Sequence, residues 1–282
     1  MKTILLPTDF SDNAWNAIFY ALKLYQAIPC HFYIMHTYDP NPKNVIGARA
    51  SVRLGMLLES LQKASEAGLA KTERYLEENH THKNHKFEFL SIKNSVHEAI
   101  KEVQQKKDID FIIMGTQGAT GAKQIFMGSN TVKVIRSIRS CPVIAVPEDY
   151  NFQTINRIVF PSDYTRFYDQ YELLPLIDLA SLWKAQIRIF HIAKDFSMIS
   201  TQELNQKMLG ERLKDLEYEF YEFVIKTNIA DGIHDFAQEN KADMIALVHY
   251  KKSFMEKLTQ EPIVTKLGFS ARVPLLVLPE LA

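Results

Sequence analysis

The chain has 282 residues, of which 46% are hydrophobic and 23% charged, and its 33 basic and 33 acidic side chains cancel. This is the composition of a soluble globular protein long enough for two ordinary domains. It leaves no basic excess of the kind that nucleic acid or an anionic membrane surface selects. Two cysteines, Cys30 and Cys141, form no metal-binding pair, and so few point to a reducing compartment and to two small buried core residues. Met1-Lys2 leads straight into an apolar strand, so no signal peptide with separate basic and apolar regions is expected. No apolar run approaches the ~20 residues that span a bilayer. The expectation is a cytoplasmic protein that binds neither nucleic acid nor membrane.

In chain order, Ile4 to Leu6 is an apolar strand ended by Pro7-Thr8-Asp9, and Phe10-Ser11-Asp12 supplies N-cap chemistry for a helix from about Asn13 to Tyr25. His31 to His36 is a second strand, followed by a polar, proline-containing segment from Tyr38 to Val45. Apolar residues at helical spacing predict a long crossover helix from about Ser51 to Glu78, with a break near Gly55 or Gly68. Phe87 to Ile92 is a third strand. Ser95 to Gln105 is a helix whose Ser95 and Glu98 have capping-box spacing. Asp110 to Met114 and Pro142 to Val146 complete five strands. Strand alternates with helix throughout, which predicts parallel βαβ units in a doubly wound, Rossmann-like α/β sheet.

The second half repeats the first. Ile158-Val159-Phe160-Pro161-Ser162-Asp163 copies Ile4-Leu5-Leu6-Pro7-Thr8-Asp9, and Ile187 to His191 copies the strand ending at His36. Ile225, Ile229, Ile233 and Asp243 each lie 133 positions after Ile92, Val96, Ile100 and Asp110. Val273-Pro274-Leu275-Leu276-Val277 copies Cys141-Pro142-Val143-Ile144-Ala145. A repeat of this size predicts two tandem domains, residues 1–148 and 155–282, linked through the polar stretch Glu148 to Thr154.

The stretch that carries chemistry runs from Asp110 to Thr131. Gly115 and Gly118 follow the fourth strand, nine residues separate Gly118 from Gly128, and Ser129, Asn130 and Thr131 open the next helix. Glycines let backbone N–H groups approach phosphate oxygens. The helix start adds free N–H groups, a positive dipole end and two hydroxyl donors. Neither G-x-x-x-x-G-K-[ST] nor G-x-G-x-x-G is present. The second copy lacks the cradle: its fourth strand, Met244 to Val248, runs into His249-Tyr250-Lys251-Lys252-Ser253. Gln260, Glu261 and Pro262 stand opposite Gly128, Ser129 and Asn130. A carboxylate there repels phosphate and a proline removes a donor, so the second domain is not expected to bind ATP in the manner of the first.

Gly115-x2-Gly118-x9-Gly128-Ser129 resembles the ATP-binding signature of the universal stress protein family, which implies the adenine nucleotide alpha-hydrolase-like fold. Lys2 to Ser11 is similar to that family's first strand and loop, and Cys141 to Pro147 to its last strand. The resemblance implies that Pro7, Thr8 and Asp9 contact the nucleoside and that Thr37 lies beside the base. It places Met114 and Gly115 against ribose and base, and Gly118, Gly128, Ser129, Asn130 and Thr131 on the phosphates. For Asp9 a turn or helix-capping role is as good a reading from the residues alone. Lys123 reads as a surface lysine, His36 and His191 as packed strand-end residues, and His80, His82 and His85 as a polar loop without metal-site spacing. The cluster Tyr218, Phe220, Tyr221 and Phe223 reads as core.

ATP hydrolysis needs a positioned water, a metal and charge stabilisation. Asp9 could meet a Mg²⁺ or Mn²⁺, but no base or arginine stands near the cradle, so no catalytic residue and no dedicated metal site is expected. The expected function is that of an ATP-binding regulatory protein of the stress response, in which nucleotide biases a conformation or partner surface. A weak ATPase or other nucleotide hydrolase, and an interaction scaffold whose glycines serve only loop geometry, are the alternatives. The resemblance implies that the two domains pair within the chain, with Val143 to Val146 and Leu275 to Leu278 as the meeting edges, and that whole chains could form a homodimer.

Overall fold

A computed structural model of the chain describes residues 1–39, 50–80, 82–116, 128–192, 198–222, 229–248 and 272–279, with the backbone alone for 50–53. Among them, ten strands form one sheet. The first five are β1 (Lys2–Thr8), β2 (Cys30–Thr37), β3 (His85–Ile92), β4 (Phe111–Gly115) and β5 (Val143–Val146). The second five are β6 (Arg157–Ser162), β7 (Gln186–His191), β8 (Tyr218–Tyr221), β9 (Met244–Val248) and β10 (Leu275–Leu278). Their order is β3-β2-β1-β4-β5-β10-β9-β6-β7-β8. Every pair within each half is parallel. The two halves meet at an antiparallel pairing in which Leu276 faces Ile144 and Val277 faces Val143.

The strands are apolar because both faces are covered. Ile4, Leu6, Ile112, Ile144, Ile158, Phe160 and Leu276 are fully buried, and each such side chain contributes about 1.5–3 kcal/mol relative to exposure. The covering helices are α1 (Asp12–Leu24), α2 (Ala50–Asn79), α3 (Val96–Lys106), α4 (Ser129–Ser137), α5 (Gln170–Trp183), α6 (Ser200–Leu213) and α7 (Ile229–Glu239). α1 starts as the sequence predicts: Ser11 caps it, its hydroxyl accepting from the Ala14 N–H at 3.2 Å.

Two expectations are corrected. α2 runs unbroken through Gly55 and Gly68. Gly68 instead makes room for the Phe10 ring, which a Cβ would meet at 2.4 Å. The capping box at α3 does not form. The Ser95 side chain makes no cap hydrogen bond and contacts His97 Nδ1 at 3.2 Å, while Glu98 pairs with Lys101 at 2.8 Å. The polar stretch from Glu148 to Thr154 packs against α1. The Asn16 carboxamide donates to the carbonyls of Pro147, Glu148 and Tyr150, and Tyr150 and Phe152 set their rings against Tyr20.

The repeat extends to side-chain detail. The Asp110 carboxylate accepts from the Thr3 N–H at 2.7 Å, and Asp243 accepts from Asn156 and Arg157 at 2.7 and 2.9 Å. Ile100 and Ile233 are both fully buried. Tyr218, Phe220 and Tyr221 form β8 and pack partly buried against the core; Phe223 and Ile225 lie outside the described residues. No described helix is long and apolar enough to cross a membrane. Both cysteines are free and buried, and burial pushes both thiols up to about 12.

Candidate functional site

Within the first half the strand order reverses between β1 and β4, and ligands of open α/β sheets bind beyond the carboxyl ends of the strands at such a point. A crevice of about 200 Å³ lies there. β1 and its loop contribute Pro7, Thr8 and Asp9, β2 contributes Met35, His36 and Thr37, and β4 contributes Met114 and Gly115. The start of α4 adds Gly128, Ser129, Asn130 and Thr131, and Ala14 and Val96 complete the lining. The residues the sequence singles out therefore converge on one crevice. Gly118 and Lys123, and in the second half His249 to Ser253 and Gln260 to Pro262, lie outside the described residues.

Several of these residues hold the loops in place. Thr8 Oγ1 accepts from the Phe10 N–H at 3.0 Å, and Asp9 Oδ1 accepts from the Ser11 N–H and hydroxyl at 3.1 and 2.6 Å. Asp9 thus performs the turn role that its position allows, while its carboxylate stays exposed on the crevice rim. Gly115 is small because of α1: a Cβ there would lie 2.0 Å from Asn13 Oδ1. Thr131 joins two elements of the site. Its hydroxyl is buried and donates to the Gly115 carbonyl at 2.8 Å, so it ties α4 to β4 and does not face the crevice as a donor. Gly128 is the N-cap of α4 and donates its N–H to the Thr116 carbonyl. The N–H groups of Ser129, Asn130 and Thr131 follow it in the first turn, where an α-helix has no acceptors of its own. With the positive dipole end they give the crevice an anion-attracting wall.

His36 belongs to the site more closely than the sequence suggests. Its ring stacks on Phe10 with centroids 4.5 Å apart, and its Nδ1 lies 2.8 Å from Ser65 Oγ, which lies 2.7 Å from Ser91 Oγ. Phe10 reaches this stack through a left-handed backbone, φ 63°. Burial holds the His36 imidazole below its usual range, against the opposing pull of the Asp9 carboxylate. The signal available in the sequence is its strand-end position, and the partner residues come from α2 and β3, far along the chain. Met35, Val96 and Ala14 were equally hidden, since apolar residues at those spacings read as core.

The second half builds the same loop. Ser162 Oγ accepts from the Tyr164 N–H at 3.1 Å, and Asp163 Oδ1 accepts from the Thr165 N–H and hydroxyl at 3.1 and 2.9 Å. Tyr164 is left-handed, φ 50°, and stacks on His191 at 5.2 Å. Here, however, α6 closes over the loop: Gln202 donates to the Asp163 carbonyl at 2.8 Å and Asn205 to the Tyr164 carbonyl at 2.9 Å. Asp163 is buried where Asp9 is exposed.

A mostly parallel sheet covered by helices, with a crevice at the switch point of its strand order, defines a doubly wound α/β class of fold. Comparison with known proteins narrows it. The model of the universal stress protein family matches residues 1–147. A universal stress protein of Methanocaldococcus jannaschii is 29% identical over 145 residues, covering 51% of this chain and 81% of the relative. One of Thermus aquaticus is 30% identical over 145 residues, covering 51% and 98%. Across 99% of this chain and 96% of the other, the fold matches a universal stress protein crystal structure from Archaeoglobus fulgidus with a TM-score of 0.65 at 15% identity. The chain belongs to the universal stress protein family.

Proposed function

We propose that this protein is a cytoplasmic ATP-binding regulator of the stress response, with one nucleotide site in a first domain of residues 1–148. The observation that carries the reading is the convergence of the β1 loop, the end of β2, Met114-Gly115 and the N-terminus of α4 on one crevice. The adenosine would lie between the β1 loop and Thr37, and the phosphates would run toward Gly128 and the N–H groups of α4. A Mg²⁺ or Mn²⁺ carried in with the triphosphate would meet Asp9, the carboxylate on the rim. A second domain of residues 155–282 would have given up nucleotide binding. The α6 amides across the Asp163 loop and the lack of any glycine from His249 to Pro262 support this. The pairing of β5 with β10, and the Lys2–Asp178 contact at 2.7 Å, support a tandem pair in which ATP in one unit can bias the surface of the whole chain.

The test is calorimetric titration of nucleotide-free protein with Mg-ATP, beside Gly128→Glu. The variant sets a carboxylate at the start of α4 and is expected to weaken binding at least about tenfold, or 1.4 kcal/mol. One site per chain, weakened in the variant, supports the reading. Two sites would overturn the claim for the second domain. No binding would leave an interaction scaffold whose glycines serve loop geometry.

A further inference from the structure

At the opposite end of the sheet from the crevice, the last turns of α1 and α2 and the turn into β3 enclose a cavity of about 490 Å³. The groups lining it that can carry positive charge are Lys23, His80, His82 and Lys83, and no carboxylate is among its lining residues. Phe19 and Tyr75 supply aromatic walls. Trp15 backs them both, at 5.7 and 5.2 Å between centroids, and holds the two rings 6.0 Å apart with Phe19 40% and Tyr75 42% exposed.

The histidines here form a stack rather than a loose loop. Ring centroids of His82 and His85 are 4.2 Å apart, and those of His80 and His85 are 5.0 Å apart. His85 Nε2 donates to the Tyr25 carbonyl at 3.2 Å, so the neutral ring presents a lone pair on Nδ1. His80 Nε2, 2.8 Å away, must then carry the proton between them, and His80 Nδ1 is its titrating nitrogen. His82 Nδ1 is buried and has no hydrogen-bond partner among the described residues. Among the described residues no group of three or more His, Cys, Asp or Glu is placed to hold a metal ion. Burial, and then His85, His82 and Lys23, hold the His80 imidazole below its usual range. The cavity brings two lysines, the histidine stack and two aromatic rings together, and among the described residues that line it none is a carboxylate.

We propose that this cavity binds a small planar aromatic anion, with its ring against Phe19 and Tyr75 and its anionic group among Lys23, Lys83 and His80. A phosphate or carboxylate there forms charge-assisted hydrogen bonds to the lysines, and ring contacts set its plane. The anion favours the charged form of His80, so binding takes up a proton and strengthens as pH falls toward the histidine range.

Phenyl phosphate is the probe, titrated at low salt into protein saturated with Mg-ATP and followed by the histidine ring resonances. The expected result is saturable binding that moves the His80 resonances; with benzoate, whose charge is the same at pH 6 and pH 8, binding should weaken at least about threefold from pH 6 to pH 8. The double variant Lys23→Glu, Lys83→Glu should weaken it at least about tenfold while leaving the ATP titration unchanged, which also shows that the variant is folded. Tyr75→Ala should weaken it too, and inorganic phosphate or benzyl alcohol alone should bind at least about tenfold more weakly than phenyl phosphate. Benzoate in place of phenyl phosphate distinguishes a carboxylate from a phosphate ligand. Absence of saturation by about 10 mM, insensitivity to charge reversal, or displacement by ATP would overturn the proposal.

Discussion

Gly115 shows how one residue can serve both fold and site. Asn13 packs against it so closely that Gly115→Ala drives a methyl group into the carboxamide at 2.0 Å. The expected cost is about 1–3 kcal/mol, the range for overpacking, read as a lower urea midpoint. Asn13→Ala in the same chain should restore part of it, and an unchanged midpoint in Gly115→Ala would show that the close approach has no energetic weight. His36 makes a pH prediction. It, His31, His80, His85 and His191 are all held below the ordinary 6.5, burial being the first cause in each. Below that value the unfolded chain binds more protons than the folded one. The stabilisation is present above about pH 6.5 and is lost as pH falls through the depressed values, so the urea midpoint should drop between pH 7.5 and 5.5. His36→Gln should narrow that drop. A midpoint that stays level across this range would contradict the burial of these rings.

Among the elements, the two predicted helix starts diverge. Ser11 caps α1 through Ala14, and its own hydroxyl is oriented by Asp9. Ser95 stands at the same place before α3 without a side-chain cap bond. Ser11→Ala should cost about 1 kcal/mol, while Ser95→Ala should cost well under that. Equal losses in thermal unfolding would mean that the capping geometry does not matter. Both serines look alike as sequence, because capping spacing says only that a bond is possible. Whether it forms depends on which neighbour competes, here His97 and Lys101. α2 carries the same lesson. Gly68 reads as a break, yet it serves the Phe10 ring, and Gly68→Leu should displace that ring from His36 and weaken the ATP binding proposed for the crevice more than it lowers stability.

For the whole molecule, the seam between the halves of the sheet decides cooperativity. Leu276 is fully buried opposite Ile144, so Leu276→Lys places an unpaired charge in an apolar seam at a cost of several kcal/mol. It should split a single unfolding transition into two. One transition in the variant would argue that the two halves do not depend on each other through this pairing. The Lys2–Asp178 contact crosses between the halves too, but both side chains are about one-third exposed. Asp178→Asn should therefore cost no more than about 1 kcal/mol.

The sequence by itself determined the alternation of strand and helix, the repeat, and the strand ends and helix start that border the crevice. Each of these rests on local periodicity or on a short motif within one stretch of chain. Even the meeting edge, Val143 to Val146 with Leu275 to Leu278, was legible from the repeat and the family resemblance. The tertiary structure alone decided which of these residues line the crevice and which hold the frame. Thr131 turned to Gly115, Gly115 made room for Asn13, and His36 joined Phe10, Ser65 and Ser91 from three separate segments. It also decided that α6 hydrogen-bonds to the loop after β6, and that His80, His82 and His85 stack beside Lys23 instead of lying in solvent. The physical reason is that a side chain's partner is set by packing across the fold. No spacing along the chain encodes which of several possible donors and acceptors will arrive.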